Sequence, residues 1–290
     1  SAEAVATGSG AGLMPPVLVE LTPLRLSCQE LVLNRQKVGD VGCAVACGFV
    51  RPWAGRLIAV RLLECNIGDA GACELARLLL GNPEAARDLS APAAARDLRE
   101  LVLSANRIGD RGIISLAEAL PKCDKLERLL LDRNLIGAAG ARALARCLRR
   151  SSVRELVLGS HLGGNPLGPL GAEALAGALN DGMERAAADR ATRLEALNLE
   201  SCQVGELGAK ALATMLPGSG VTLLSLASDD LGDEGAAAVL QALPPGLMSL
   251  DLAGNSLSDR VGQLVGETLQ RQPTLSLSLA QNDLSPNFKS

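Results

Sequence analysis

The sequence predicts an α/β fold: a curved solenoid of about nine repeats, with a parallel β-sheet on its concave side and helices on its convex side. One template recurs along the 290 residues, as in "LRELVLSANRIGDRGI" (98–113) and "LERLLLDRNLIGAAGA" (126–141). Nine copies start at residues 28, 57, 98, 126, 153, 194, 221, 247 and 274. Hydrophobic residues make up 48% of the chain but aromatic residues only 1%. The core is therefore aliphatic, which suits a thin layer repeated many times.

Each copy begins with a short strand and a turn. In the copy at 126, Leu129 and Leu131 alternate with the period of two that is typical of a strand. The next feature that recurs from copy to copy is a side chain that can form hydrogen bonds with exposed backbone groups at the turn. It is found at Asn106, Asn134, Asn165, Asn255 and Asn282, or as Cys65 and Cys202. A glycine then permits the turn into the helix, at Gly68, Gly109, Gly137 and Gly205.

Each copy ends with a predicted helix. The stretch "AGARALARCLRR" (139–150) places Ala141, Leu144, Ala145 and Leu148 on one face and Arg142, Arg146 and Arg149 on the other. Strands pair about 4.8 Å apart, whereas packed helices need about 10 Å. The helix side therefore spreads more than the strand side, and the stack must curve around its sheet.

The domain organisation follows from the repeats. We expect a single solenoid domain over 28–290 and an N-terminal extension or cap over 1–27, which contains "GLMPPVLVELTPL". Two of the repeat intervals are 41 residues long, because 81–97 and 180–193 are inserted, the latter together with four extra residues near His161. Both insertions fall between one strand and the next, where a solenoid tolerates added length.

The template L-x-x-L-x-L-x-x-N/C-x-L/I-G resembles that of leucine-rich repeats, and the long period with G-D-x-G-A resembles the ribonuclease-inhibitor-like subfamily. The resemblance covers roughly nine tenths of the chain. It implies a horseshoe-shaped solenoid that binds protein more often than it catalyses a reaction, as in ribonuclease inhibitors, the sensor halves of innate immune receptors and subunits of large assemblies. GTPase-activating proteins of the Ran GTPase carry the same repeat, so regulation of a small GTPase is the alternative, although the long acidic tail typical of them is missing from this sequence.

Composition and motifs predict no catalytic, metal or cofactor site. The single histidine, His161, lies in "LVLGSHLGGNPLG" (156–168), where Leu156, Leu158 and Asn165 match the template, so we interpret "SHLG" as a bulge at the corner of a repeat. No phosphate-loop or catalytic-triad motif surrounds it. The eight cysteines form no CxxC pair and are interpreted as buried thiols, although Cys28, Cys43, Cys47 and Cys65 could in principle meet at a zinc ion.

Charge and hydropathy exclude several partners. The net charge of −4 and the scarcity of aromatic residues disfavour nucleic acid, and no apolar run is long enough to span a membrane. Reduced cysteines and the lack of a secretory signal favour the cytoplasm. The arginines of 142–154 are interpreted as a solvated outer face, with an acidic protein partner as the alternative.

The inner face is the predicted contact surface. The residue between the two leucines of each strand points into the concavity: Val32, Arg61, Val102, Leu130, Val157, Asn198, Ser225, Asp251 and Ser278. Four of the first five are aliphatic, Leu63 adds to them, and Arg35, Glu64, Asp132, Arg133 and Glu200 flank them. An apolar strip rimmed by charge is typical of a protein interface. The alternative is that residues 1–27 fold back over it. We therefore predict a non-enzymatic interaction scaffold or fixed subunit of a larger complex, with protein-binding residues Val32, Arg35, Arg61, Leu63, Val102, Leu130, Asp132, Arg133 and Val157.

Overall fold

The computed structural model describes residues 29–81, 94–184 and 194–285. Within these ranges nine strands and eight α-helices alternate along the chain. The strands are β1 (Glu30–Val32), β2 (Ala59–Arg61), β3 (Glu100–Val102), β4 (Arg128–Leu130), β5 (Glu155–Val157), β6 (Ala196–Asn198), β7 (Leu223–Ser225), β8 (Ser249–Asp251) and β9 (Ser276–Ser278). The helices are α1 (Gly39–Val50), α2 (Asp69–Leu80), α3 (Asp110–Ala119), α4 (Ala138–Leu148), α5 (Gly168–Glu184), α6 (Gly205–Met215), α7 (Gly232–Gln241) and α8 (Gly262–Arg271).

The nine strands form one parallel sheet in chain order, as the repeat pattern predicts. Each strand pairs with the next in the same register, so equivalent residues of successive repeats lie side by side. The helices pack against one another on the other side of the sheet, each chiefly against the helix of the next repeat. The solenoid predicted from the sequence is confirmed, and the predicted extension over 1–27 lies outside the described residues.

The core is a single aliphatic layer between sheet and helices. In β1 to β8 the middle residue of each strand, such as Leu101 or Leu129, is buried together with the leucine two positions later, such as Leu103 or Leu131. The equivalent Leu277 and Leu279 of the last repeat are only partly buried. In α4, the predicted inward residues Ala141, Leu144, Ala145 and Leu148 are all buried. Burying one leucine contributes about 2 kcal/mol, so the stack is stabilised repeat by repeat.

A ladder of asparagines closes the corner after five of the nine strands. The Oδ1 atom of Asn106 accepts hydrogen bonds from the amides of Cys65 (3.1 Å) and Ile67 (3.0 Å) in the preceding repeat. Its Nδ2 donates to the carbonyls of Leu62 (2.7 Å) and Leu103 (2.9 Å). Equivalent bonds are made by Asn134, Asn165, Asn255 and Asn282. One side chain thus satisfies backbone groups of two repeats, which is the role that the template predicts.

Four positions equivalent to these asparagines carry other residues, the first of which is Gln36. The thiols of Cys65 and Cys202 replace the amide as donors, to the carbonyls of Leu33 (2.9 Å) and Leu158 (3.4 Å) respectively. The fourth is Asp229, which the sequence analysis did not single out. A carboxylate here has no hydrogen to donate unless it is protonated.

A second ladder explains the G-D-x-G motif. The Oδ1 atom of Asp69, in the first turn of α2, accepts the amides of Gly109 (2.7 Å) and Gly112 (2.9 Å) at the start of α3. Asp110 in turn accepts the amides of Gly137 (2.7 Å) and Gly140 (2.8 Å) at the start of α4. Each aspartate therefore caps the helix of the following repeat, since no residue of that repeat supplies a side-chain cap. A side chain at Gly112 would meet Asp69 Oδ1 at 2.8 Å, which is why the motif ends in glycine.

Both predicted insertions, 81–97 and 180–193, fall between one strand and the next, and each extends beyond the described residues. The first follows the end of α2 at Leu80, and its residues 82–93 lie outside the described ranges. The second follows a lengthened α5, which runs from Gly168 to Glu184, and residues 185–193 likewise lie outside them.

Candidate protein-binding surface

The concave face of the sheet presents three rows of side chains that run across the strands. The third residue of every strand forms the middle row, which is the row predicted from the sequence. The register places Val32, Arg61, Val102, Leu130, Val157, Asn198, Ser225, Asp251 and Ser278 side by side in it. All nine are half-buried, because a backbone layer lies beneath them while their outer faces meet solvent.

An apolar strip occupies the middle row of the first five strands. We define the apolar strip as Val32, Val102, Leu130 and Val157. Arg61 interrupts it between Val32 and Val102. Val102, Leu130 and Val157 are direct neighbours across β3, β4 and β5, so they form a continuous aliphatic surface three strands wide.

A row of alternating charges runs beside the apolar strip, formed by the first residues of β1, β3, β4 and β5 together with Arg61 of β2. Arg61 reaches from the middle row to Glu30 (3.4 Å) and to Glu100. Arg128 pairs with Glu100 (2.6 Å) and with Glu155 (2.7 Å). We call these five residues the ion-pair ladder. Because each cation lies between two anions, every charge of the ladder has a partner of opposite sign, and both arginines are held in place.

The ion-pair ladder is the part of this surface that the sequence analysis missed, except for Arg61. The sequence does contain a pattern that indicates the ladder. The residue before the buried middle residue of a strand lies on the same face as the middle row, because side chains alternate along a strand, and in β1, β3, β4 and β5 that residue is charged. The pairing with Glu155 raises the pKa of Arg128 above its ordinary value, since the charged guanidinium donates a hydrogen bond to the carboxylate.

The other predicted site residues lie on the opposite margin of the apolar strip, just after the strands. Leu63 and Asp132 are half-buried, and Asp132 accepts a hydrogen bond from the buried Ser104. Arg35 and Arg133 are exposed on the turns, and Arg35 pairs with Glu64 at 3.4 Å. The structure therefore brings the predicted residues together along one face of the first five repeats. That they contact a partner stays a prediction.

The C-terminal half of the concave face is a groove over β5–β8. We define the groove by Val157, Asn198, Glu200, Leu223, Ser225, Ser249 and Asp251, with Ala196 in its floor, and its volume is about 370 Å³. Small side chains at Ala196, Ser225 and Ser249 leave this volume open. Burial raises the pKa of Glu200, and the negative charge of Asp251 raises it further, whereas His161 acts in the opposite direction.

The His161 expansion is a corner of the fifth repeat, as predicted. His161 and Leu162 form an exposed turn, while Asn165 keeps its buried place in the asparagine ladder. The expansion packs tightly against the next repeat. A side chain at Gly159 would lie 1.8 Å from the carbonyl oxygen of Glu200, so only glycine fits there.

The described cysteines are free thiols, and all but Cys73 are buried. Burial raises the pKa of Cys123 and of Cys147 to about 12. In Cys43 a hydrogen bond with Cys47 and burial both raise the pKa of the thiol. Across the described ranges no three His, Cys, Asp or Glu side chains converge as a metal site requires, and Cys28 lies outside them.

The arginines of α4 lie on the convex side. Arg142 and Arg146 are exposed there, and Arg149 donates to the carbonyl of Gly177 in α5 at 3.4 Å. Arg154, just before β5, pairs with Glu195 (2.6 Å). None of the helices in the described ranges combines the length and apolar character needed to cross a bilayer.

Comparison with known proteins agrees with this architecture. A family model described as Leucine Rich repeat matches residues 94–117 and 191–213. The ribonuclease inhibitor of Sus scrofa is 32% identical over 284 residues, which covers 82% of this chain and 59% of that protein. The ribonuclease inhibitor of Mus musculus is 32% identical over 241 residues, covering 82% of this chain and 46% of that protein. The NACHT, LRR and PYD domains-containing protein 12 of Mus musculus is 30% identical over 277 residues, covering 84% of this chain and 24% of that protein.

The repeats, the sheet and these matches define a leucine-rich-repeat protein. Its repeats are of the ribonuclease-inhibitor type, with an asparagine or cysteine at the corner and a full α-helix on the convex side. The chain spans between 24% and 59% of the length of these three relatives.

Proposed function

We propose that this chain is a non-enzymatic interaction scaffold that binds a protein through the concave face of its first five repeats. The observation that carries the proposal is the apolar strip beside the ion-pair ladder. Val102, Leu130 and Val157 keep solvent-accessible aliphatic surface on adjacent strands, next to charges fixed in known places. An apolar centre with a charged margin is how specific protein interfaces are built.

The relatives support a binding role. The name of the pig and mouse relatives describes inhibition of ribonuclease, which is itself a protein. The concave face of the present chain differs in composition from a tight hot-spot interface. The described concave face carries no Trp or Tyr, the residues that dominate tight hot spots, so we expect its affinity to come from extended contact, as in a fixed subunit of a larger assembly. The free thiols of the described repeats support a reducing compartment such as the cytoplasm.

The test is capture of partners from native extract by the full chain and by Val102→Asp/Leu130→Asp. Because both side chains project from the sheet rather than into the core, we expect the double variant to lose the partner and to keep its melting temperature within a few degrees. A matched control is Leu207→Asp on the convex side, where the side chain is 71% exposed, and it should retain the partner.

Two results would contradict the proposal. If the double variant melts far below the wild type, the strip is covered internally, and residues 1–27 are the segment to delete next. If the double variant folds and captures the same proteins as the wild type, the concave strip is not the contact surface.

A further inference from the structure

The groove over β5–β8 differs from the rest of the concave face in having unbalanced charge. In the ion-pair ladder each carboxylate has an arginine partner. Glu200 and Asp251 both line the groove, and within the described ranges neither forms an ion pair. His161 is the basic side chain that opposes the raised pKa of Glu200. Two neighbouring carboxylates without a cation attract one from outside.

A second observation, independent of the carboxylates, also points to a ligand. The hydroxyl oxygen of Ser225 is inaccessible to solvent and has no hydrogen-bond partner among the described residues. The large majority of buried hydroxyl groups in proteins have a hydrogen-bond partner, because leaving one without a partner costs about 1–3 kcal/mol. Ser225 lies in the groove, between the strands that carry Asn198 and Asp251. The oxygen itself is covered, so a donor in the groove would complete its hydrogen bonding once the Ser225 side chain rotates to another rotamer.

The shape of the groove narrows the class of ligand. Ala196, Ser225 and Ser249 form a low floor, and Leu223 stands beside it with 47% of its surface exposed. The groove therefore offers several oxygen acceptors next to one aliphatic wall. Arginine matches that combination, because its guanidinium carries five donors in a plane and its stem is apolar.

We infer that the groove receives an arginine side chain from a protein partner, with the guanidinium against Glu200 and Asp251 and the aliphatic stem along Leu223. This would be a specificity site that adjoins the apolar strip at Val157. It adds charge recognition at one end of the concave face to the apolar contact at the other. The inference does not depend on the apolar strip being the main interface.

The probe is a short peptide, acetyl-Gly-Arg-Leu-Gly-amide, titrated into the full ¹⁵N-labelled chain while amide chemical shifts are followed by NMR. We expect saturable shifts at Asn198, Ser225 and Ser249, with a dissociation constant in the millimolar range that is usual for one side chain. The same peptide with citrulline in place of arginine keeps the shape without the charge, and it should bind at least about tenfold more weakly.

Variants assign the effect to the groove. Glu200→Gln/Asp251→Asn should weaken the arginine peptide by at least about tenfold, whereas Asp230→Asn, an exposed neighbour outside the groove, should leave it unchanged. Val102→Asp/Leu130→Asp should also leave it unchanged, so failure of the proposed function and failure of this inference are distinguishable.

Three results would overturn the inference. The first is the absence of saturable shifts up to about 10 mM peptide. The second is equal binding of the citrulline peptide. The third is equal binding of a lysine peptide, which would make the groove a general cation site rather than one for a guanidinium.

Discussion

Replacing Asp229 by asparagine should stabilise the protein, and the gain should grow with pH. Asp229 occupies the ladder position of its repeat. At the equivalent position of the next repeat, Asn255 donates from Nδ2 to the carbonyls of Leu226 (2.7 Å) and Leu252 (3.1 Å). Asp229 Oδ1 accepts the amides of Cys202 (2.7 Å) and Val204 (3.2 Å), as a ladder asparagine does. Its Oδ2 is buried and has no partner among the described residues. An asparagine would fill this place with a donor.

The pH dependence follows from the raised pKa of Asp229. Burial raises it from 3.8 to about 7, although the backbone amides that Oδ1 accepts act in the opposite direction. The folded state therefore keeps a proton on Asp229 at pH values where the unfolded state has released it. Stability from this group is full below about pH 4 and is lost as the pH rises towards 7. At about 1.4 kcal/mol per pH unit, the total loss is roughly 4 kcal/mol, of which about 2–3 kcal/mol falls between pH 5 and pH 8.

The assay is urea unfolding followed by circular dichroism at pH 5, 6, 7 and 8, for the wild type, Asp229→Asn and Asp283→Asn. The Asp229 variant should gain about 2–3 kcal/mol more over the wild type at pH 8 than at pH 5. Asp283 is exposed and lies two repeats away, so the same substitution there should change the free energy of unfolding little at any pH. A gain for Asp229→Asn that is independent of pH, or a loss at pH 8, would refute the reasoning.

Three further predictions concern close packing, capping and thiol accessibility. Gly159→Ala should lower the free energy of unfolding by about 2–4 kcal/mol, because the added Cβ would meet the carbonyl oxygen of Glu200. As the control, Gly177→Ala in α5 should be neutral or stabilising, because a Cβ there meets nothing within 4 Å. Asp110→Ala should lower the free energy of unfolding by about 1–2 kcal/mol in the same urea titration, because the start of α4 loses the two hydrogen bonds that Asp110 accepts from its amides. An unchanged unfolding midpoint would contradict this. Among the described cysteines, Cys73 should react first with iodoacetamide in the native protein, as peptide mass mapping would show; faster alkylation of a buried cysteine would contradict the packing.

Much of the fold could be predicted from the sequence because each repeat restates the same local physics. The alternation of leucines identifies the strand, and the spacing of alanine and leucine identifies the helix. The asparagine position was recognisable for the same reason. Even the expansion at His161 was interpretable, because Leu156, Leu158 and Asn165 matched the template on either side of it.

The candidate surface was predicted less completely, because it depends on contacts between repeats. The middle row followed from alternation within one strand. The ion-pair ladder requires Arg128 to reach both Glu100 and Glu155, which lie 28 and 27 residues away in sequence. The groove arises where small residues of neighbouring strands adjoin, a property of the stack and not of any single copy. The alignment of the repeats places Asp229 at the asparagine position. That its pKa is raised follows only from its burial, which the structure gives.

The central claim is that the concave strip of an open solenoid is the surface that binds protein. Oxidative footprinting by mass spectrometry, comparing the free chain with its captured complex, tests this directly. We predict that oxidation of Val102, Leu130 and Val157 falls in the complex, while the exposed convex residues Leu170 and Leu207 are modified as before. Unchanged oxidation of the three strip residues, with protection of the two convex leucines, would contradict the claim.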